Sequence, residues 1–395
     1  MEPLINNINE ENGVLKFTLS NVNVSIANAL RRIILSEIPN FVFRTTPYSE
    51  NKCNISINTT RFNNEIIKQR LSCIPIHIND MDFPYHDYIL EIDEKNDTDI
   101  IKIVTTEHFK LKNISNGKYL TKESVSKIFP PDSISRDYID FVRLRPKISD
   151  EIDGEYIKLE CKIEIGIPKE GMFNVVSCCS YGNTLDPLLI NEEWSKKEIQ
   201  LKTASTQDTE IEFIKNDWMS LEANRYFIKN SFDFMIESIG VFDSITIFKT
   251  ACKVMINKFD NCNNLIGSNL EKYIKNIYNT IPNCYEIILE NEDYTLGKAL
   301  EYLLYTNYYE NTKEINFCGF KKPHPHINSS VIRIGFNNDQ SSSYETEEGT
   351  EESKGSIETN KNRSGKNIDR TNVVRLINNC CKNGIDIYSK IMESI

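Results

Sequence analysis

An internal repeat constrains this chain more than any other feature. Residues 23–36 read NVSIANALRRIILS and residues 293–306 read DYTLGKALEYLLYT, an offset of 270. Each stretch opens on a side chain that can cap a helix (Asn23, Asp293) and has Ser or Thr two positions later. A branched aliphatic, a small residue (Ala27, Gly297) and an identical Ala-Leu follow. Asn and Asp accept hydrogen bonds from the first free backbone amides of a helix, so both stretches have a helical start. Apolar residues then recur at helical spacing. Ile26, Leu30 and Ile33 form one stripe with Ile34 alongside, and Leu296, Leu300, Leu303 and Leu304 form the other. The small residues Ala27 and Gly297 should let another helix approach closely.

A second, longer helix is expected after each copy. Ile245, Phe248, Cys252, Met255 and Phe259 make one seam, opened by Asp243. Val374, Ile377, Cys381, Ile385, Tyr388, Met392 and Ile395 make the other, opened by Asn372. Apolar spacing of three and four marks a face that packs on another helix. From Leu30 to Ile245 is 215 residues, whereas from Leu300 to Val374 is 74, so the first copy carries about 141 extra residues. That is enough for an inserted domain, placed at residues 45–170, where KLECKIEIGI (158–167) and DYILEID (87–93) alternate like strands. The expected fold class is α+β, with a mostly β insert in the first copy. Residues 1–44 and 171–264 form the first module, 265–282 a linker helix and 283–395 the second module. Residues 337–368, rich in Ser, Glu, Asn, Gly and Lys, are expected to be a mobile loop after the strand VIRIGF (331–336).

Composition excludes several functions. Lys plus Arg number 46 against 57 Asp plus Glu, a net charge of −11, and a groove that neutralises phosphates needs the opposite balance. No apolar run approaches a membrane span and the N-terminus lacks signal-peptide regions, so an intracellular, membrane-free protein is expected. The 11 cysteines are scattered without a CxxC pair and read as reduced core thiols rather than disulfides or a zinc site. The five histidines are dispersed, and no nucleophile elbow, phosphate loop or paired-carboxylate metal motif is present. His324 and His326, held by Pro323 and Pro325, suit a rigid turn better than a metal site. Cys178 or Cys179 could serve a stand-alone enzyme as nucleophile, but their apolar strand-like setting lacks a base. A viral scaffold that merely oligomerises is a third alternative.

The run IANALRRIILSEIP (26–39) resembles the alpha-motif helix of bacterial RNA polymerase alpha subunits and of the third-largest subunit of eukaryotic RNA polymerase II. FNNEIIKQRLSCIPI (62–76) and FDFMIESIGVF (232–242) are similar to two further segments of that family. EDYTLGKALEYLL (292–304) and FCGFKKPHP (317–325) resemble the small partner, the eleventh subunit of the same enzyme. The resemblance implies two alpha-like subunits fused in one chain, as two modules of sheet plus helices packed as a pseudo-dimer, serving as a non-catalytic assembly platform for DNA-directed RNA polymerase. It implies as partners the two largest subunits and small polymerase subunits, with little direct nucleic-acid contact. Arg31, Arg32 and Glu37 are then the docking residues for the large subunits. Arg31 and Arg32 stand where the second copy has Glu301 and Tyr302. Inter-module packing falls to Ile26, Ala27, Leu30, Ile33, Ile34, Leu296, Gly297, Leu300, Leu303, Leu304, Ile245, Phe248, Met255, Ile377, Ile385 and Tyr388.

No cofactor is expected in this chain, and Mg2+ only in the catalytic subunit of the complex. The family's insert often holds zinc or an iron-sulfur cluster, but here it offers only Cys53, Cys73 and Cys161, far apart in sequence. No alpha-type C-terminal DNA-binding domain is expected beyond the helix that reaches Ile395. The fusion, with a composition rich in Asn, Ile, Lys and Tyr, resembles the polymerases of large cytoplasmic DNA viruses. This implies a viral factory and virion as the location, or the nucleus if the source is not viral.

Overall fold

The computed structural model describes residues 2–149, 151–203, 208–277, 283–337 and 361–395, with the helix backbone alone over 361–369. The chain opens with strands β1 (Leu4–Glu11) and β2 (Val14–Ser20) and helix α1 (Val24–Ser36). In β2, alternation sends Leu15, Phe17 and Leu19 inward, the period of a half-buried strand.

An excursion follows: β3 (Asn40–Phe43), β4 (Cys53–Asn58), α2 (Asn64–Ser72), β5 (Tyr88–Lys95), β6 (Lys102–Thr105) and β7 (Lys110–Asn113). It continues with α3 (Lys122–Ile128), β8 (Asp140–Leu144) and β9 (Tyr156–Gly166). The long β9 organises it, pairing with β3 and β4 along one edge and β5 along the other, with β7 outside β5; β6 and β8 form a separate ribbon. Although β3 falls within residues 1–44, its hydrogen bonds go to β9. All four of its side chains are buried, and they alternate between two cores: Val42 joins the core of the modules, Phe41 and Phe43 that of the insert.

The first module resumes with β10 (Val176–Leu185), helices α4 (Pro187–Thr203) and α5 (Asp208–Ser220), β11 (Phe227–Ser238) and the long α6 (Ser244–Ser268). The α4–α5 pair was not expected. It hangs from the β10–β11 connection on its own small core, where Trp194 and Trp218 meet with ring centroids 5.5 Å apart. The extra length of the first copy is therefore divided between two excursions.

Among the described residues no independent linker helix separates the modules. Helix α6 runs to Ser268, α7 (Leu270–Tyr273) is a single turn, and β12 (Ile274–Ile277) already belongs to the second sheet. Residues 278–282 lie outside the described residues. Strand β13 (Cys284–Glu290), α8 (Tyr294–Leu304), β14 (Ile315–Lys321), β15 (Ser329–Phe336) and α9 (Lys361–Glu393) complete the second module. The expected mobile loop 337–368 falls on residues 338–360, outside the described residues, and on a stretch already helical from Lys361. Helix α9 thus begins 11 residues before Asn372. Once the packed part of a helix is nucleated, adding each polar residue at its end costs little.

The two modules share one topology. Sheet order β1-β2-β11-β10 in the first matches β12-β13-β15-β14 in the second, both antiparallel. The 270-residue offset extends to the strands: Tyr285, Ile287 and Leu289 are buried where Leu15, Phe17 and Leu19 are. It also relates the strand-to-helix corners, since Asn21 (φ 61°) and Asn291 (φ 59°) both take the left-handed conformation that asparagine tolerates. One continuous core draws on both modules, which is the α+β pseudo-dimer.

Candidate functional site

The inter-module seam is built from α1, α6, α8 and α9. Its starting points are equivalent caps: Asn23 Oδ1 accepts the Ser25 amide at 2.9 Å, and Asp293 Oδ1 accepts that of Thr295 at 2.9 Å. Ile26, Ala27, Leu30, Ile33 and Ile34 of α1 and Leu296, Gly297, Leu300, Leu303 and Leu304 of α8 are all buried. Phe248, Met255, Ile377 and Tyr388 join them, whereas Ile245 and Ile385 are only half-buried at the flank. Ile247 takes the inward place expected of Ile245. On α9 the inward face is Val373, Leu376, Ile377, Cys380, Cys381, Ile387, Tyr388 and Ile391, while Val374, Ile385, Met392 and Ile395 flank it. Helix α9 packs against both α6 and α8, so its apolar face is wider than a single stripe and is centred one position earlier.

Two glycines set the spacing. A Cβ on Gly384 of α9 would lie 2.6 Å from the Phe259 ring of α6, so this glycine permits the close helix crossing. Gly297 does a different job from the one expected: a Cβ there would overlap the ring of Phe320, which comes from strand β14 and not from a helix. The hydroxyl of Tyr388 donates to the carbonyl of Ile26 at 3.2 Å. Burial pushes that hydroxyl far up, so it remains a neutral donor in the middle of the seam.

A charged network closes one side. Arg32 donates from Nε to Thr295 Oγ1 at 2.9 Å and from Nη2 to Asp293 Oδ2 at 3.1 Å, joining α1 to the start of α8. Lys169, on the turn returning from the insert, lies 3.4 Å from Asp293 and 3.5 Å from Glu37. Lys258 of α6 lies 2.8 Å from Glu37 and 3.1 Å from Glu292. Burial alone would raise the Asp293 carboxyl, but the Thr295 amide and hydroxyl, with Lys169 and Arg32, bring it down to about 2. For Glu292 burial prevails and its carboxyl is raised despite Lys258. Burial would lower the Lys258 ammonium, but Glu292 and Glu37 hold it raised.

This network changes the standing of two expected docking residues. Glu37 is not on an open face; its side chain is 9% exposed and bonded to Lys258. Arg32 keeps partial exposure, but its fork is occupied by Asp293 and Thr295. Arg31 has a different setting, where its charge acts on Cys179 and Tyr181 of β10. Its Nε donates to Asn28 Oδ1 at 3.1 Å, and among the described residues it forms no ion pair. Consecutive helical residues diverge by about 100 degrees, which is why the two arginines part company. Sequence gave no sign that Lys169, Lys258 and Glu292 would meet, because they come from three separated segments.

The remaining chemistry is sparse. Burial pushes the Cys179 thiol up to about 12, so it is a poor nucleophile. Cys53 and Cys161 face each other across β4 and β9, but Cys73 is exposed, and among the described residues no three His, Cys, Asp or Glu side chains converge as a metal group. His324 and His326 stack edge to face at 5.0 Å. Among the described residues no helix is long and apolar enough to cross a membrane.

Comparison with known proteins agrees with this geometry. Residues 16–259 match the RNA polymerase Rpb3/Rpb11 dimerisation domain, and residues 284–363 match a second model of that description. The chain is 27% identical over 306 residues to the DNA-directed RNA polymerases I and III subunit rpac1 of Dictyostelium discoideum, covering 68% of this chain and 82% of that protein. It is 25% identical over 286 residues to the DNA-directed RNA polymerases I and III subunit RPAC1 of Homo sapiens, covering 62% and 79%. To the DNA-directed RNA polymerases I and III subunit rpc19 of Dictyostelium discoideum it is 33% identical over 75 residues, covering 19% and 60%. With two matched domains whose sheets repeat one topology around a shared core, the chain belongs to the RNA polymerase Rpb3/Rpb11 dimerisation-domain family and joins two alpha-like subunits in one polypeptide.

Proposed function

We propose that this chain is a non-catalytic assembly subunit of DNA-directed RNA polymerase that holds the two large catalytic subunits together. The observation that carries it is the seam: the dimerisation faces of both modules are satisfied within the chain, in one continuous core, so the pseudo-dimer is ready to receive other subunits. Arg31, free of ion pairs among the described residues, is the docking contact, since a guanidinium suits bidentate carboxylate or carbonyl recognition across an interface. Arg32 and Glu37 support docking indirectly, by fixing α1 against the second module. The catalytic Mg2+ belongs to the largest partner. The excess of Asn, Ile, Lys and Tyr supports a large cytoplasmic DNA virus as source, with action in the viral factory and virion; a nuclear site follows otherwise.

Affinity recovery of the tagged chain, with a mass-spectrometric inventory, tests the proposal. Two very large chains should co-purify. Arg31→Glu should keep the native circular dichroism and melting temperature yet lower recovery of the large chains at least tenfold, because like charges across an interface repel. Recovery of copies of itself alone would favour a scaffold, and undiminished recovery with Arg31→Glu would remove that residue from the docking face.

A further inference from the structure

The inserted domain carries a cavity of about 540 Å³ whose rim is arginine. Arg61, Arg70, Arg143 and Arg145 line it, with Phe62 and Ile101 as its exposed apolar residues. Four of the chain's 13 arginines meet here and no lysine does, in a chain where lysine is much the commoner base. The local balance also opposes that of the molecule. Asp140 is the single acid in the lining, and even with Glu155, the partner of Arg145, two positive charges remain in a protein of net charge −11.

The four arginines do different work. Arg70, on α2, donates to the carbonyls of Phe141 at 2.7 Å and Asp140 at 2.8 Å, which fixes α2 to strand β8. Arg145 is anchored by the nearly buried Glu155. Among the described residues Arg143 pairs only with the neighbouring exposed Asp140, a weak contact, and Arg61 has no ion pair. Two anchored arginines therefore form the wall, and two loosely held ones keep donors for a ligand.

We propose that this cavity binds an acidic peptide segment of a partner protein, with Arg61 and Arg143 clamping its carboxylates and Ile101 and Phe62 receiving an apolar side chain. Guanidinium forks match carboxylates bidentately, and the rim offers a partner a net positive charge in a chain whose total is negative. A nucleic-acid strand fits less well. Arg70 already lies over the Phe62 ring, 5.6 Å from its centroid, on a face that base stacking would need. If the partner is a polymerase subunit, the site deepens the assembly reading and rests on it in that respect.

Two measurements test the site. In the first, fluorescence anisotropy follows the isolated full chain with a labelled peptide of alternating Glu and Phe, its Gln-for-Glu counterpart, and a single-stranded oligonucleotide. Binding of the acidic peptide, at least tenfold weaker in Arg61→Glu/Arg143→Glu and at least tenfold weaker for the Gln peptide, supports the proposal. No binding, equal binding in the variant, or preference for the oligonucleotide overturns it.

In the second, p-benzoylphenylalanine at position Ile101 is photo-activated in the complex that the tagged chain forms. A crosslink to a net-acidic segment, lost in Arg61→Glu/Arg143→Glu, supports the site. A crosslink to nucleic acid or to a basic segment, or none in a complex that contains the large chains, overturns it. Failure of the large chains to co-purify counts against the assembly reading, and the peptide measurement then decides the site by itself.

Discussion

The seam and the α4–α5 hairpin are both helical, and both are closed by aromatic side chains, yet they are held in different ways. In the seam, Tyr388 bonds the carbonyl of Ile26, 362 residues away, and the core draws on both modules. In the hairpin, the core is five buried residues from one short segment, two of them tryptophans, while Leu188 and Phe213 stay largely in water. The lesson concerns cooperativity. A core whose parts are distant in sequence can be lost only with the whole fold, whereas a local one can open by itself.

That contrast can be broken most severely at the seam. Leu300 is fully buried, and Leu300→Asp would place a carboxylate in the apolar core. The expected outcome is an insoluble chain, read by solubility and by loss of near-ultraviolet circular dichroism; a soluble, normally melting variant would contradict a shared core. The hairpin should respond differently. Trp218→Ala should cost its local core roughly 3–5 kcal/mol. Hydrogen exchange should then show α4 and α5 open and the four seam helices protected, with the main melting transition unmoved. A fall in the main transition would join the two regions that are separated here.

Smaller changes sharpen the comparison. Gly384→Ala adds one methyl against the Phe259 ring where α9 crosses α6 and should destabilise the chain by about 1–3 kcal/mol, seen as a lowered denaturant midpoint. Asp293→Asn keeps a capping side chain but removes the charge facing Arg32 and Lys169. The folded Asp293 carboxyl is depressed from 3.8 to about 2. Its contribution is therefore present above pH 3.8 and lost as pH falls from 3.8 toward 2, and at neutral pH it is about 2 kcal/mol. The variant should be less stable at pH 7 by about 1 kcal/mol, because asparagine still caps, and should lose less on acidification. Equal acid sensitivity would place the titrating group elsewhere.

Much of the seam was legible because its periodicity and caps are local and because two copies could be compared. The alternation in residues 158–167 likewise announced β9 and a β-rich insert. Phase was harder to read. Val373 and Val374 both suit an apolar face, and only the positions of α6 and α8 decide between them. Gly297 signalled close approach but not by what, since Phe320 arrives through a strand. The hairpin was hidden because its helices interleave charges with scattered apolar residues, leaving two tryptophans as the only strong signal. Arg32 and Arg31 looked alike until the start of α8 claimed one of them, and the partners of Lys258 depend wholly on tertiary placement.

Helix α6 passes through a single helical turn directly into the strand that opens the second sheet, and this tether alters how the pair responds to dilution. Two separate subunits would come apart as their concentration fell and could exchange mates. Here each half meets the other at an effective concentration set by a few residues of chain, independent of how much protein is present. The ratio of the halves is one to one by construction, so a surplus of either half cannot arise, and an unpaired apolar face has no route to a foreign mate.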